Sequence, residues 1–234
     1  MASRVIHLAI AAELADRIGV KDKERFYFGH VLPDMILGEY EVRLPLKKQS
    51  HFYTLLPSSR KTYNFYQFYD EYKDRLTDDL YLGYYVHLIE DNIFRKYLYY
   101  RVGLLMRRGQ RELLDELYRD YHLLNPLLRE RYDIKLPGRL ENLEDEDICK
   151  RFPFTVDEYL AEMKNDLEER PEGELVHFTE ELIDEFINEC VDVITKEMSS
   201  LREKGEHYLS LDDYSIENYF KGVLRNDNYK DEDN

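Results

Sequence analysis

His87 and Asp91 stand four residues apart in the stretch Leu82–Arg95, whose apolar positions Leu82, Tyr85, Val86, Ile89 and Ile93 recur every three or four residues. That period predicts a helix with one buried face, and it sets the imidazole and the carboxylate on successive turns. Such a pair can hold one metal ion or share a hydrogen bond. Further His and Asp residues sit at predicted helix ends upstream, in a chain with only seven histidines. His7 falls in the first turn of a predicted helix, read either as a half-buried histidine bonded to a backbone carbonyl or as part of the same group. Asp34 follows Pro33, which pushes Leu32 out of the helical region. It is therefore either a cap for the next segment or a carboxylate presented from a rigid corner towards His87 and Asp91.

The elements that must position these groups read as helices. Ser3 caps a helix over 4–18 that ends at Gly19, and Asp22 seeds a second over 23–28. Residues 38–50, with Gly38 and Pro45, read as a loop, and Ser50-His51-Phe52-Tyr53 opens the next segment. Residues 60–76 predict one Tyr- and Phe-rich helix whose aromatics belong to the core. Thr77-Asp78-Asp79 caps the central helix, predicted from Leu80 to about Tyr100. Further helices are expected over 111–124, with Pro126 as the exit, then over 154–169, 176–197 and 209–224. No strand-type alternation is sustained, so the expected fold is all-α: a multi-helix bundle of one domain over 1–225, with a frayed acidic tail at 226–234.

Composition narrows the function classes. Hydrophobic residues make up 43% and charged residues 35%, as in a soluble globular protein, with 21 Tyr, 11 Phe and no Trp. Net charge is −16 but uneven: residues 1–133 hold 21 Lys and Arg against 20 Asp and Glu, whereas 134–234 hold 12 against 29. The acidic part repels duplex nucleic acid, so an anionic substrate should approach the first part. The run Arg95, Lys96, Arg101, Arg107, Arg108 and Arg111 reads as a solvated helix face. Cys149 and Cys190 form neither a metal motif nor a disulfide framework. Neither a signal peptide nor a membrane-spanning segment is apparent, and the expected location is cytoplasmic.

Four stretches in order, Ser3–Leu8, Phe28–Asp34, Ser50-His51-Phe52 and Tyr81–Asp91, resemble the motifs of the zinc-dependent phospholipase C family, whose fold is shared with S1/P1-type nucleases. The resemblance covers about the first hundred residues. It implies a helical fold in which one to three zinc ions line a cleft and hydrolyse phosphoesters. Asp34, His51, His87 and Asp91 would supply one complete site, with Asp91 bridging to a second ion that His7 also binds. Imidazole and carboxylate suit zinc, and Asp34 could double as the base that orients the water.

Secreted members of that family complete the second site with an N-terminal tryptophan, and this chain has none. The third site would need a histidine shortly after Asp91, where Tyr97, Tyr99 and Tyr100 stand instead. His177-x-x-x-Glu181 has the spacing to supply part of it, and His30 is a candidate substitute ligand. The leading expectation is a hydrolase acting on a phospholipid head group or a small phosphodiester. A short single strand or a nucleotide is an alternative substrate, since tyrosines can stack on bases. A helical protein keeping a metal site for structure or ligand binding is the non-enzymatic alternative. An HD-type phosphohydrolase fits less well, because the adjacent His-Asp dipeptide is missing.

Overall fold

The computed structural model describes residues 2–103 and 111–217. Nine helices over these residues are α1 (Arg4–Leu14), α2 (Lys23–Val31), α3 (Tyr40–Ser50), α4 (Phe65–Tyr72), α5 (Asp79–Lys96), α6 (Arg111–Arg131), α7 (Asp147–Arg151), α8 (Val156–Glu168) and α9 (Glu180–Lys204). Three short strands, β1 (Tyr53–Leu55), β2 (Arg60–Tyr63) and β3 (Ile216–Glu217), form an antiparallel sheet in that order. The fold is mostly helical, as expected.

Local chemistry sets the helix ends. Ser3 Oγ accepts from the Ile6 amide, Asp22 from Arg25, Asp78 from Leu80 and Thr179 from Leu182, each at an N-terminus. Gly205 closes α9 at a φ of 70°, a left-handed conformation that glycine adopts without steric cost.

Helix α5 is the axis of the molecule. Every residue from Asp79 to Arg95 is buried, so it has no solvent face, unlike the one-sided helix that its periodicity predicts. Helices α1, α2, α4 and α9 and strand β2 surround it. Its crossing with α2 is the tightest in the fold. A Cβ on Gly29 would lie 2.1 Å from the Leu80 carbonyl oxygen, and one on Gly83 would lie 2.3 Å from that of Phe26. Only hydrogen at these two positions lets the backbones meet.

Several expectations are corrected. Residues 40–50 are helix rather than loop, with Pro45 inside. The last turn of α3 is anchored where Ser50 Oγ donates to the Pro33 carbonyl, and the helix persists past the lost proline donor. Residues 60–76 split in two. Residues Arg60–Tyr63 pair with β1 in the register Tyr53↔Tyr63, and Asn64 then caps α4. Asn92 causes this: its side chain accepts from the Tyr63 amide and donates to the Tyr63 carbonyl, each at 2.8 Å, and holds that residue extended. Helix α6 runs through Pro126 to Arg131. After Lys96 the chain winds into a π turn over Tyr97–Arg101. Residues 209–217 contain β3 and no helix, while the rest of the helix expected to 224 and the tail 226–234 lie outside the described residues. The acidic second part packs on the first through α8 and α9 against α1, and through α9 against α5.

Candidate metal centre

Five predicted residues from four elements of the chain converge at α5. His7 comes from the first turn of α1, Asp34 from the 3₁₀ turn Leu32–Asp34, His51 from the C-cap of α3, and His87 and Asp91 from α5. All are at most 5% exposed. Complete burial excludes the half-exposed reading of His7, and its partner is a carboxylate rather than a backbone carbonyl.

Each of the three imidazoles has its Nδ1–H committed to an acceptor outside the cluster. His51 donates to the Lys47 carbonyl at 2.8 Å, His87 to the His30 carbonyl at 2.8 Å, and His7 to Glu90 Oε2 at 2.8 Å. A carbonyl or carboxylate can only accept, so these bonds orient the rings and turn every Nε2 inward. Inside, the Nε2 atoms of His51 and His87 are 3.1 Å apart. Asp91 Oδ2 lies 3.4 Å from His51 Nε2 and 3.5 Å from His87 Nε2, and Asp34 Oδ1 lies 3.5 Å from His51 Nε2. Tetrahedral zinc with bonds of about 2.0–2.1 Å sets its ligand atoms roughly 3.3 Å apart. The three spacings among His51, His87 and Asp91 bracket that value. His7 Nε2 sits 3.5 Å from Asp91 Oδ1, on the other side of the same carboxylate. His7 Nε2 and Asp91 Oδ2 are buried with no hydrogen-bond partner, which in a packed interior marks a place for something further to bind.

The potential follows from these neighbours. Burial works against ionisation of Asp34, but Lys47 and the imidazoles of His51 and His87 hold it well below the usual carboxylate range. Asp91 is likewise held low against burial by His7 and His87. Burial and the charge of His7 pull His87 down to about 4, against Asp91. For His7 burial is outweighed by Asp91 and Glu90, and its value rises to about 10. Ionised carboxylates and a neutral His87 are donors a divalent cation can use, whereas His7, held protonated by its carboxylate partners, must release its proton to ligate one.

Two groups of ligand atoms lie within 4.8 Å of one another and could hold a metal ion: His51, His87 and Asp91, and His7, Asp34 and His87. The other predicted candidates are not part of them. His30 turns its Nε2 to Glu90 Oε1 at 2.6 Å, so it supports His7 through the shared carboxylate. His177 pairs with Glu116 at 2.7 Å in the turn before α9, and Glu181 is exposed. No third group forms from them among the described residues.

Glu90 is the functional residue that periodicity hides. As the neighbour of Asp91 it should point away from a one-sided helix, yet α5 is buried all round and Glu90 is fully enclosed. Lys47 was equally illegible while its segment read as loop; its Nζ donates to Asp34 Oδ1 at 3.0 Å.

The centre opens into a cleft of about 710 Å³. Asp34 and His51 line it, with His7, His87 and Asp91 buried behind them. Lys47, Lys48, Lys61 and Arg95 line one part, and Glu162 and Asp166 of α8 another. Arg4 sits between the two helical parts, bonded to Asp166 at 2.9 Å. The acidic half of the sequence therefore supplies a wall of the cleft.

Comparison with protein-family models, with curated proteins and with solved structures gives no match for this chain.

Proposed function

We propose that this chain is a metal-dependent phosphoester hydrolase of the zinc-dependent phospholipase C type, acting on a phospholipid head group or another small phosphodiester. The observation that carries this reading is the buried group His51, His87 and Asp91, whose facing donor atoms lie 3.1–3.5 Å apart, with Asp34 Oδ1 3.5 Å from His51 Nε2, beside a cleft lined by cations. Zinc bound there would acidify water and neutralise charge on the phosphoryl oxygens. His51, His87 and Asp91 hold the metal, His7 and Asp91 define a second position, and His30 and Glu90 keep His7 aligned. Asp34 faces the cleft and, kept ionised by Lys47, accepts a hydrogen bond from the attacking water. Lys47 and Lys48 draw an anionic substrate to that face. The carboxylates of α8 narrow the choice to small substrates, since a long duplex would meet Glu162 and Asp166.

The non-catalytic alternative, a metal held for structure or ligand binding, has one observation in its favour: Lys47 already occupies an oxygen of Asp34. One experiment separates the two. Metal content is measured by elemental analysis on protein purified without chelator or added metal, for wild type, His87→Ala and Asp34→Asn. The proposal expects zinc near one or two per chain, lost in His87→Ala, and phosphodiester turnover that Asp34→Asn lowers by roughly 10²–10⁴-fold with folding intact. Protein that folds without metal and takes up no zinc when offered it would overturn the hydrolase reading. A metal whose loss lowers the melting temperature, with no turnover on any phosphoester tried, would favour the structural role.

A further inference from the structure

Arg95 belongs to the basic run predicted as a solvated helix face, and the structure removes it from that face. It is only 7% exposed, one turn beyond Asp91 on α5, and it lines the cleft. Its neighbours in the run differ: Lys96 and Arg101 are exposed, and Arg101 pairs with Glu185. Arg4, which lines the same cleft, pairs with Asp166. Arg95 Nη1 is buried with no hydrogen-bond partner among the described residues. The nearest carboxylate along the helix, Asp91, is committed to the Ala2 amide and to the histidines of the metal centre. What Arg95 does contact is the face of Tyr63, with Cζ 4.3 Å from the ring centroid.

A buried guanidinium without a counter-anion is costly, and a ring face offsets only part of that cost. The surroundings are nevertheless built to hold it in place. Asn92 holds the backbone of Tyr63 through both its amide and its carbonyl, and the Tyr63 ring also packs tilted on the His51 ring, with centroids 5.2 Å apart. The same tyrosine ring thus contacts both Arg95 and a residue of the metal centre. Lys61, two residues before Tyr63 on β2, lines the same cleft and is 2% exposed.

We infer that Arg95, with Lys61 beside it, receives a second phosphate group of the substrate, next to the ester that the metal centre hydrolyses. The planar donors of arginine match a phosphate group, and the dianion of a terminal phosphomonoester would supply the missing counter-charge. The preferred substrate is then a phosphodiester that also bears a terminal phosphate. This assignment rests on the hydrolase reading for the ester that is cleaved; the anion receptor itself does not.

The test has two parts. Inorganic phosphate and phenyl phosphate are titrated calorimetrically into the full chain in chelator, for wild type, Arg95→Gln and Arg95→Lys, with circular dichroism to check folding. Wild type should bind both probes, Arg95→Gln at least tenfold more weakly, and Arg95→Lys in between. Tighter binding of phenyl phosphate marks a site for an esterified phosphate, and equal binding marks free phosphate as the ligand and overturns the substrate assignment. Should chelation unfold the chain, the same ratios are read on zinc-loaded protein. Unchanged phosphate binding in Arg95→Gln, or none in wild type, overturns the receptor. In the second part kcat/KM is compared for a diester with and without a terminal phosphate. Arg95→Gln should lower only the former, and an equal loss on both would place Arg95 at the cleaved group instead. A chain that binds phosphate through Arg95 but takes up no zinc would keep the receptor and lose the hydrolase; a zinc hydrolase indifferent to Arg95→Gln would do the reverse.

Discussion

His51 and His87 face each other through their Nε2 atoms at 3.1 Å, while the Nδ1 of each is tied to a backbone carbonyl. Two ring nitrogens with their N–H groups turned outward repel unless a proton or a cation lies between them. The carbonyls that impose this arrangement, Lys47 in α3 and His30 in α2, belong to two different helices. Packing of the helices thereby sets the direction of the donor lone pairs.

His7 is oriented by a side chain instead, and that makes it testable. Glu90 accepts from both His7 and His30, and it is fully buried. Glu90→Gln keeps the shape but replaces an acceptor with an amide that cannot serve both rings. Zinc affinity at the position shared by His7 and Asp91 should fall about 10–100-fold. Competition against a chelator of known affinity measures it, and an unchanged affinity would show that His7 needs no support.

The crossing of α2 and α5 carries the His30–His87 bond, and two glycines permit it. Gly83→Ala would drive a methyl into the Phe26 carbonyl, which is backbone and cannot swing aside. The expected loss is about 3 kcal/mol, the upper end of ordinary overpacking. Denaturant unfolding should report it, together with weaker metal uptake as His87 shifts from its carbonyl partner. A loss below about 0.5 kcal/mol, the level of a neutral surface change, would contradict this picture of the crossing.

Glu197 of α9, which does not line the cleft, ties down the segment before β3. It accepts from Tyr85 Oη and His207 Nδ1, both at 2.6 Å, and from the Tyr208 and Leu209 amides. Burial opposes its ionisation, but these bonds prevail and lower its pKa from the usual 4.5. A lowered carboxylate contributes stability that is fully present above 4.5 and is lost as pH falls through the folded-state value. Glu197→Gln should therefore cost about 1–3 kcal/mol at neutral pH, and the gap to wild type should narrow in acid. Unfolding curves at the two pH values decide, and a gap that widens in acid would refute the assignment.

Legibility tracked periodicity and residue type. The starts of α1, α2 and α5 were visible because Ser3, Asp22 and Asp78 act within one turn of chain, whereas α9, expected over 176–197, runs from Glu180 to Lys204. Segments governed by distant partners were misread. Pro45 looked like a loop breaker, yet contacts to Pro33 hold its helix. Tyr63 looked helical among other aromatics, yet Asn92 holds it in a strand.

Spacing alone offered only the pair His87 and Asp91; the five candidate ligands could be named from sequence because four stretches resemble the motifs of a known family. Which atoms they present could not, because ring orientation depends on acceptors brought in by other helices. Glu90 and Arg95 make the same point from both directions. An amphipathic pattern sends the first to solvent and reads the second as a surface charge, and α5 is instead enclosed on every side. Sequence by itself determined the mostly helical character and the starts of α1, α2 and α5, and it named candidate ligands; tertiary packing decided α3, the strand at Tyr63, the orientation of the candidate ligands, the partners that fix them, and the buried cation lining the cleft. The reason is physical: caps and periodicity act over a few residues, whereas burial and hydrogen-bond geometry depend on parts of the chain many tens of residues apart.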